Sequence, residues 1–185
     1  RWILAVYLVL TLVGVLTTWV FSSQGLFNSI LYTFSAVSTG GFSPHDASLS
    51  ALNSNLAVTI VTLVALSGAV SLVTYRRLYR EGFYTLFEDR QWQILMILCA
   101  GSVVLIFLTF DIDSTLSLTE QLWHSFVMGL SAQSTTGFSS LSFDYFNPGG
   151  KLAVIFSMMV GGCIGSTAGG IKIFRVMIML RLVFF

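Results

Sequence analysis

Ser38-Thr39-Gly40-Gly41-Phe42-Ser43 returns later in the chain as Ser134-Thr135-Thr136-Gly137-Phe138-Ser139. The likeness extends upstream. Residues 25–43 and 121–139 align without gaps and are identical at nine of nineteen positions: Leu26/Leu122, Ser29/Ser125, Ser35/Ser131, Ala36/Ala132, Ser38/Ser134, Thr39/Thr135, Gly41/Gly137, Phe42/Phe138 and Ser43/Ser139. Each copy follows an apolar stretch too brief to cross a bilayer and lies between two stretches long enough to do so. As a helix, residues 26–37 run roughly 18 Å, about half of a crossing. A duplicated helix–re-entrant loop–helix unit with a Thr/Gly turn at its tip is a way to line a cation pathway with backbone oxygens.

Composition supports a membrane reading. The chain has 185 residues, of which 55% are hydrophobic and 9% charged, with mean hydropathy +0.86; soluble chains carry roughly 25% charged residues. Trp2 to Phe21, Leu56 to Tyr75 and Ile94 to Phe110 are uncharged runs. In hydrocarbon such a run satisfies its own backbone only as a helix. The expected fold is an all-α integral membrane protein of repeated helix–pore loop–helix units, similar in plan to K+ channels, with membrane lipid as its surroundings. Cys99 and Cys163 both fall at membrane depth, so no disulfide framework is implied.

Charge sets the orientation. Arg76, Arg77, Arg80 and Arg90 gather after the second run, whereas Asp46, Asp111, Asp113, Glu120 and Asp144 lie in the opposite segments with Lys151. The positive-inside rule places the arginine loop 76–91 in the cytoplasm and opens both Thr/Gly turns outward. Residues 1–80 read as one unit, 81–91 as a cytoplasmic loop and 92–185 as a second unit. A start at Arg1 and a stop within Val183-Phe184-Phe185 read as an excised piece of a longer membrane protein.

Residues 151–185 are expected to be the irregular part. One continuous helix would run about 52 Å, too long for a ~30 Å hydrocarbon core. Within it, Gly161-Gly162-Cys163-Ile164-Gly165-Ser166-Thr167-Ala168-Gly169-Gly170 holds five glycines in ten residues. A helix does not survive that density. The expected shape is a half-helix, an intramembrane loop and a second half-helix, tolerated at membrane depth against protein or a wet cavity.

The turns carry the candidate chemistry. A dehydrating cation needs oxygens in place of its water, and successive carbonyls supply them if they converge. Glycine reaches the required left-handed backbone without a steric penalty, which singles out Gly41 and Gly137. Ser38, Thr39 and Gly40, with Ser134, Thr135 and Thr136, would add neighbouring oxygens. The half-helices would aim partly negative C-termini at the pathway, and Phe42 and Phe138 would wedge the turns in place. Taken singly, either turn is an ordinary glycine stop after a helix; duplication at matching places favours the filter.

The phrases STGGFSPHD at 38–46, STTGFSS at 134–140 and GGCIGSTAGGIKIFRV at 161–176 carry a family resemblance. The whole chain resembles the Trk/Ktr/HKT superfamily of potassium transporters, and within it the bacterial TrkH/TrkG membrane subunits. That resemblance implies four helix–pore loop–helix repeats around one pore, with a filter glycine in each. On it, residues 2–80 are similar to the second repeat and 92–185 to the third, the remaining repeats belonging to the same protein. It implies K+ uptake across the inner (plasma) membrane, K+ as permeating ion with no resident cofactor, a homodimer, and docking of a cytosolic nucleotide-binding regulatory subunit, for which loop 76–91 is the candidate surface. It also makes Gly161 to Gly170 a gate beneath the filter, with Gly161, Gly162, Gly165, Ser166, Thr167, Gly169, Gly170 and Lys172 as its residues.

The same residues admit several rival readings. A phosphate-binding loop fails on spacing, since Ile171 separates Gly170 from Lys172 and no strand precedes it. A coupled secondary transporter of another solute, built on the broken stretch 151–185, is disfavoured because the two units run in the same direction. A Na+-permeable relative stays open: the resemblance implies that serine at a filter position can admit Na+, whereas both positions here are glycine. Lys172 is either a charge beside the pathway or a snorkelling lysine. Asp46, Asp111, Asp113, Glu120 and Asp144 are either solvated loop positions or charges that concentrate cations at the outer mouth. His45 and His124 have no ligand cluster around them, and no nucleophile–base pair suggests an enzyme. Nothing points to nucleic acid. Trp2, Trp19, Trp92 and Trp123 read as interfacial anchors.

Overall fold

The computed structural model describes residues 2–110 and 116–184. Its helices are α1 (Trp2–Phe21), α2 (Gly25–Val37), α3 (Asn55–Gly68), α4 (Leu72–Glu81), α5 (Tyr84–Glu88), α6 (Arg90–Phe107), α7 (Leu118–Gln133), α8 (Pro148–Met159) and α9 (Ile173–Phe184), with short 3-10 turns at Ser48–Leu52 and Phe143–Tyr145. Asp111 and Asp113 lie outside the described residues. Among the described residues, α1 and α6 are long and apolar enough to cross a membrane.

The starts of these helices follow local chemistry. Ser117 and Glu120 form a capping box at α7, satisfying two otherwise unpaired N–H groups. Asn147 caps α8 by accepting from the Gly150 N–H at 2.9 Å, and Pro148 supplies the first helical position. Asp89 caps α6 through the Gln91 N–H at 3.0 Å and also accepts from the Thr74 hydroxyl at 2.6 Å, which ties α4 to α6.

The expected crossing at 56–75 is not a single helix. It stops at Gly68, and α4 leaves at 96° to α3. In a continuous helix the Gly68 and Ala69 carbonyls would accept from Leu72 and Val73. Here Gly68 accepts from the Thr167 N–H at 3.1 Å and Ala69 from the Cys163 N–H at 2.9 Å. The Val73 N–H turns to the Ser71 hydroxyl instead, and Ser71 caps α4. The glycine-rich segment therefore takes the hydrogen bonds that would have carried α3 onward. The arginine segment 76–91 is largely helical: it takes in the second half of α4, all of α5 and the first residues of α6.

Residues 151–185 are interrupted. Helix α8 ends at Met159, α9 begins at Ile173, and two-residue strands β1 (Val160–Gly161) and β2 (Ile171–Lys172) pair in parallel across the neck of the loop between them. That bridge is a small departure from an all-α fold. Its sheet pairing satisfies backbone groups where no helix continues.

The core lies where α2, α3 and α7 meet. Tyr32, Ala36, Val58, Val61, Ala65, Val127 and Phe138 form one buried cluster. Its neighbours include many small polar residues: Ser29, Thr33, Ser35, Thr62, Ser125 and Ser131 are buried. Small and hydroxyl-bearing residues at helix contacts are characteristic of packing in lipid, where apolar surface alone does not drive association. Trp123 belongs to this packing, with its indole N–H on the Thr59 hydroxyl at 3.4 Å, and is not a free interfacial anchor.

Candidate functional site

Both half-length helices end in the same way. In α2, the Gly40 N–H returns to the Ser35 carbonyl at 2.8 Å and the Thr39 N–H to the Ala36 carbonyl at 3.0 Å. In α7, Thr136 returns to Ser131 at 3.0 Å and Thr135 to Ala132 at 2.9 Å. This pair of bonds is the Schellman motif, in which the residue past the helix adopts left-handed backbone. Glycine ordinarily fills that place. Here threonine does, with φ of 52° at Thr39 and 59° at Thr135.

Left-handed backbone costs a branched residue roughly 1–2 kcal/mol, and such strain persists only where its surroundings enforce it. Gly41 and Gly137 follow two residues later, with φ of 71° and 79°. Each turn therefore has two left-handed residues, one on either side of Gly40 or Thr136. The glycines are not the helix stops. They are a second reversal beyond the stop.

The two turns meet. A Cβ on Gly41 would stand 1.9 Å from the Thr136 carbonyl oxygen, so only glycine permits this approach. Their exits are also joined: the Leu49 N–H donates to the Ser139 carbonyl at 3.0 Å, and the Ser139 N–H to the Ser48 hydroxyl at 3.1 Å. Tyr32 braces the first exit by donating to the Ser48 carbonyl at 2.8 Å. The hydroxyls of Ser38 and Ser134 fold back on the carbonyls of Ser35 and Ser131, and Ser134 also pairs with the Thr136 hydroxyl at 2.8 Å. Among the described residues, the main-chain carbonyls of Thr39, Gly40, Gly41, Thr135, Thr136 and Gly137 accept no hydrogen bond.

The two phenylalanines differ from each other. Phe138 is buried and packs on Tyr32 with ring centroids 6.3 Å apart. Phe42 is 81% exposed and wedges no turn among the described residues. It lines an open hollow of about 600 Å³ shared with Ser38, Ser35, Tyr7 and Thr167.

Residues 161–170 lie against both turns. Thr167 sits with its hydroxyl 2.9 Å from the carbonyl oxygens of Val37 and Gly68. Gly169 donates its N–H to the Thr135 hydroxyl at 2.6 Å. Gly161 and Gly162 are buried, and a Cβ on Gly161 would stand 1.8 Å from the Gly169 carbonyl, so the loop closes tightly on itself. Gly165 and Gly170 take positive φ, and Ser166 bonds within the loop to the Cys163 carbonyl. Lys172 is turned toward the loop. Its ammonium folds back on the loop, 3.4 Å from the Ser166 carbonyl and hydroxyl and in contact with the Ala168 carbonyl.

Supporting residues not singled out from sequence include Gln133, which donates to the Val160 carbonyl at 2.6 Å and accepts from Ser102 at 3.0 Å. Gln91 accepts from the Ile164 N–H at 3.0 Å. Buried Gln133, at the end of an apolar helix, carried a sequence signal of its own, since polar side chains at such depth require partners.

A family model for TrkH, described as cation transport protein, matches residues 2–184. The chain belongs to the TrkH family. Among its relatives, the Trk system potassium uptake protein TrkH of Halomonas elongata is 32% identical over 157 residues, covering 84% of this chain and 32% of that protein. The protein of the same description from Salmonella typhimurium is 31% identical over 185 residues, covering 95% and 37%. The crystal structure of the potassium transporter TrkH from Vibrio parahaemolyticus superposes with a TM-score of 0.89 at 24% identity, over 98% of this chain and 41% of that one. The TrkH fold is thus shared along nearly the whole chain, which spans about a third of the length of the curated relatives it matches.

Proposed function

We propose that this chain forms part of a K+ uptake protein of the cell membrane, in which turns 38–43 and 134–139 contribute backbone oxygens to a selectivity filter and loop 161–170 is the gate. One observation carries the reading: the two duplicated turns converge, Gly41 against the Thr136 carbonyl, with left-handed backbone at matching positions of each. Their unbonded carbonyls are the groups that would replace an ion's hydration shell, since oxygens free of protein donors are open to water or to a cation. The C-termini of α2 and α7 place partly negative ends beside them.

Two units supply half of a fourfold arrangement; the rest is proposed to come from the remaining repeats of the same protein. The relatives' description as potassium uptake proteins supports K+ as the ion. With the turns facing outward, α4 and α5 fall on the cytoplasmic side, where Arg76, Arg77 and Arg80 satisfy the positive-inside rule. Lys172, held on the loop carbonyls, places a positive charge beside the gate.

The test is substitution of serine for Gly41 or Gly137 in the full-length protein, followed by K+ and Na+ flux. Serine adds a Cβ at a left-handed position and displaces the local carbonyls, so the preference for K+ over Na+ should fall. An unchanged preference in both variants refutes the filter assignment.

A further inference from the structure

Two threonine hydroxyls connect the glycine-rich loop to both turns at once. Thr167 Oγ1 lies 2.9 Å from two carbonyl oxygens, those of Val37 and Gly68. A hydroxyl carries a single proton. Gly68 already accepts the main-chain N–H of Thr167 at 3.1 Å, so donation of the hydroxyl proton to Val37 is the arrangement that gives each of the two carbonyls a donor. That carbonyl ends α2, immediately before Ser38. Two residues further along the loop, the Gly169 N–H donates to the Thr135 hydroxyl at 2.6 Å. Thr135 is the left-handed threonine of the second turn, and its rare backbone is held from the loop side by this bond. Thr39, its counterpart in the first turn, instead donates locally to the Ser38 carbonyl at 2.7 Å.

The geometry points to Thr167 and Thr135 as latches through which the position of loop 161–170 and the conformation of the two turns set each other. This rests on the filter-and-gate reading and adds a coupling between its two parts. A loop that moves from beneath the turns breaks both bonds together. The Val37 carbonyl then loses its hydroxyl donor, and Thr135 loses the contact that braces its strained backbone. Coupling free energy is reciprocal, so an ion that orders the turns favours the latched loop by the same factor that the latch favours ordered turns. Thr167 is a positioning residue: it acts on the first turn through Val37. Thr167 sits where Gly68 leaves room: a Cβ on Gly68 would stand 2.9 Å from the Thr167 hydroxyl and 2.6 Å from the Val37 carbonyl.

T167V keeps the shape of threonine and removes the hydroxyl, whereas T167S keeps the hydroxyl. In proteoliposomes of the full-length protein, with the latched loop predominant, T167V should raise K+ flux about fivefold, the factor that one ordinary hydrogen bond contributes to an equilibrium constant. T167S should match the wild type. Flux in T167V equal to the wild type, or raised equally in T167S, overturns the latch. Failure of the filter reading is a separate outcome: it shows as unchanged ion preference in G41S and G137S, whatever T167V does to flux. If T167V does not assemble, hydrogen exchange of residues 161–170 in the wild-type protein decides the same point. Greater protection in K+ than in choline supports the coupling, and identical protection overturns it.

Discussion

Gly41 and Gly137 occupy matching places in the repeat, yet the structure assigns them unequal tolerance for a side chain. Both have left-handed backbone, with φ of 71° and 79°, so alanine at either incurs roughly 1–2 kcal/mol of backbone strain. Space separates them. At Gly137 the nearest atom to an added Cβ is the Met158 methyl at 3.6 Å, an ordinary contact. At Gly41 it is the Thr136 carbonyl oxygen at 1.9 Å, followed by its carbon at 3.1 Å, and a backbone group cannot rotate aside. Forcing the two turns apart adds about 1–3 kcal/mol, the usual cost of overpacking. Gly41→Ala should therefore cost about 2–5 kcal/mol and Gly137→Ala about 1–2 kcal/mol. Thermal unfolding of the two full-length variants in detergent, followed by tryptophan fluorescence, measures the order. Equal melting temperatures, or a lower one for Gly137→Ala, would refute the close approach of the two turns.

Two further outcomes are expected. Asp89→Ala removes both the cap of α6 and the acceptor of Thr74, and should lower stability by about 1–3 kcal/mol; the partial rescue expected of Asp89→Asn in the same unfolding assay tests whether hydrogen bonding is the cause. The Glu120 carboxyl is held below its ordinary range, chiefly by hydrogen bonds from the Ser117 N–H and hydroxyl. A depressed carboxyl stabilises the fold above its unfolded value, about pH 4.3, and that contribution disappears as pH falls through the lower folded value. Amide protection in the first turn of α7 should then weaken on acidification, and Glu120→Gln should flatten the dependence; a slope unaltered by that variant would discount the capping box.

Much of the architecture can be read from residues in order. Uncharged runs at 2–21 and 94–110 become α1 and α6 because hydrocarbon leaves a helix as their one self-satisfying form. The short helices before each turn, and the interruption near Gly161–Gly170, are equally local: apolar length and glycine density decide them. Even the pairing of motifs was available, since repetition needs no coordinates to detect.

The break in the second apolar run was not available that way. Leu56 to Tyr75 has the composition of a crossing, and only the Cys163 and Thr167 amides, arriving from a segment distant in sequence, divert its carbonyls and turn α4 by 96°. The strained backbone of Thr39 and Thr135 is also a property of the assembled fold, because threonine's own preference opposes it and its neighbours enforce it. The exposure of Phe42 and the burial of Phe138, identical residues in identical phrases, make the same point. Local sequence dictated which segments are helix, turn or loop, through propensity and the demand of lipid for satisfied backbone. Contacts between segments decided which carbonyl finds which donor, because a hydrogen bond across the fold depends on where two chains meet in space.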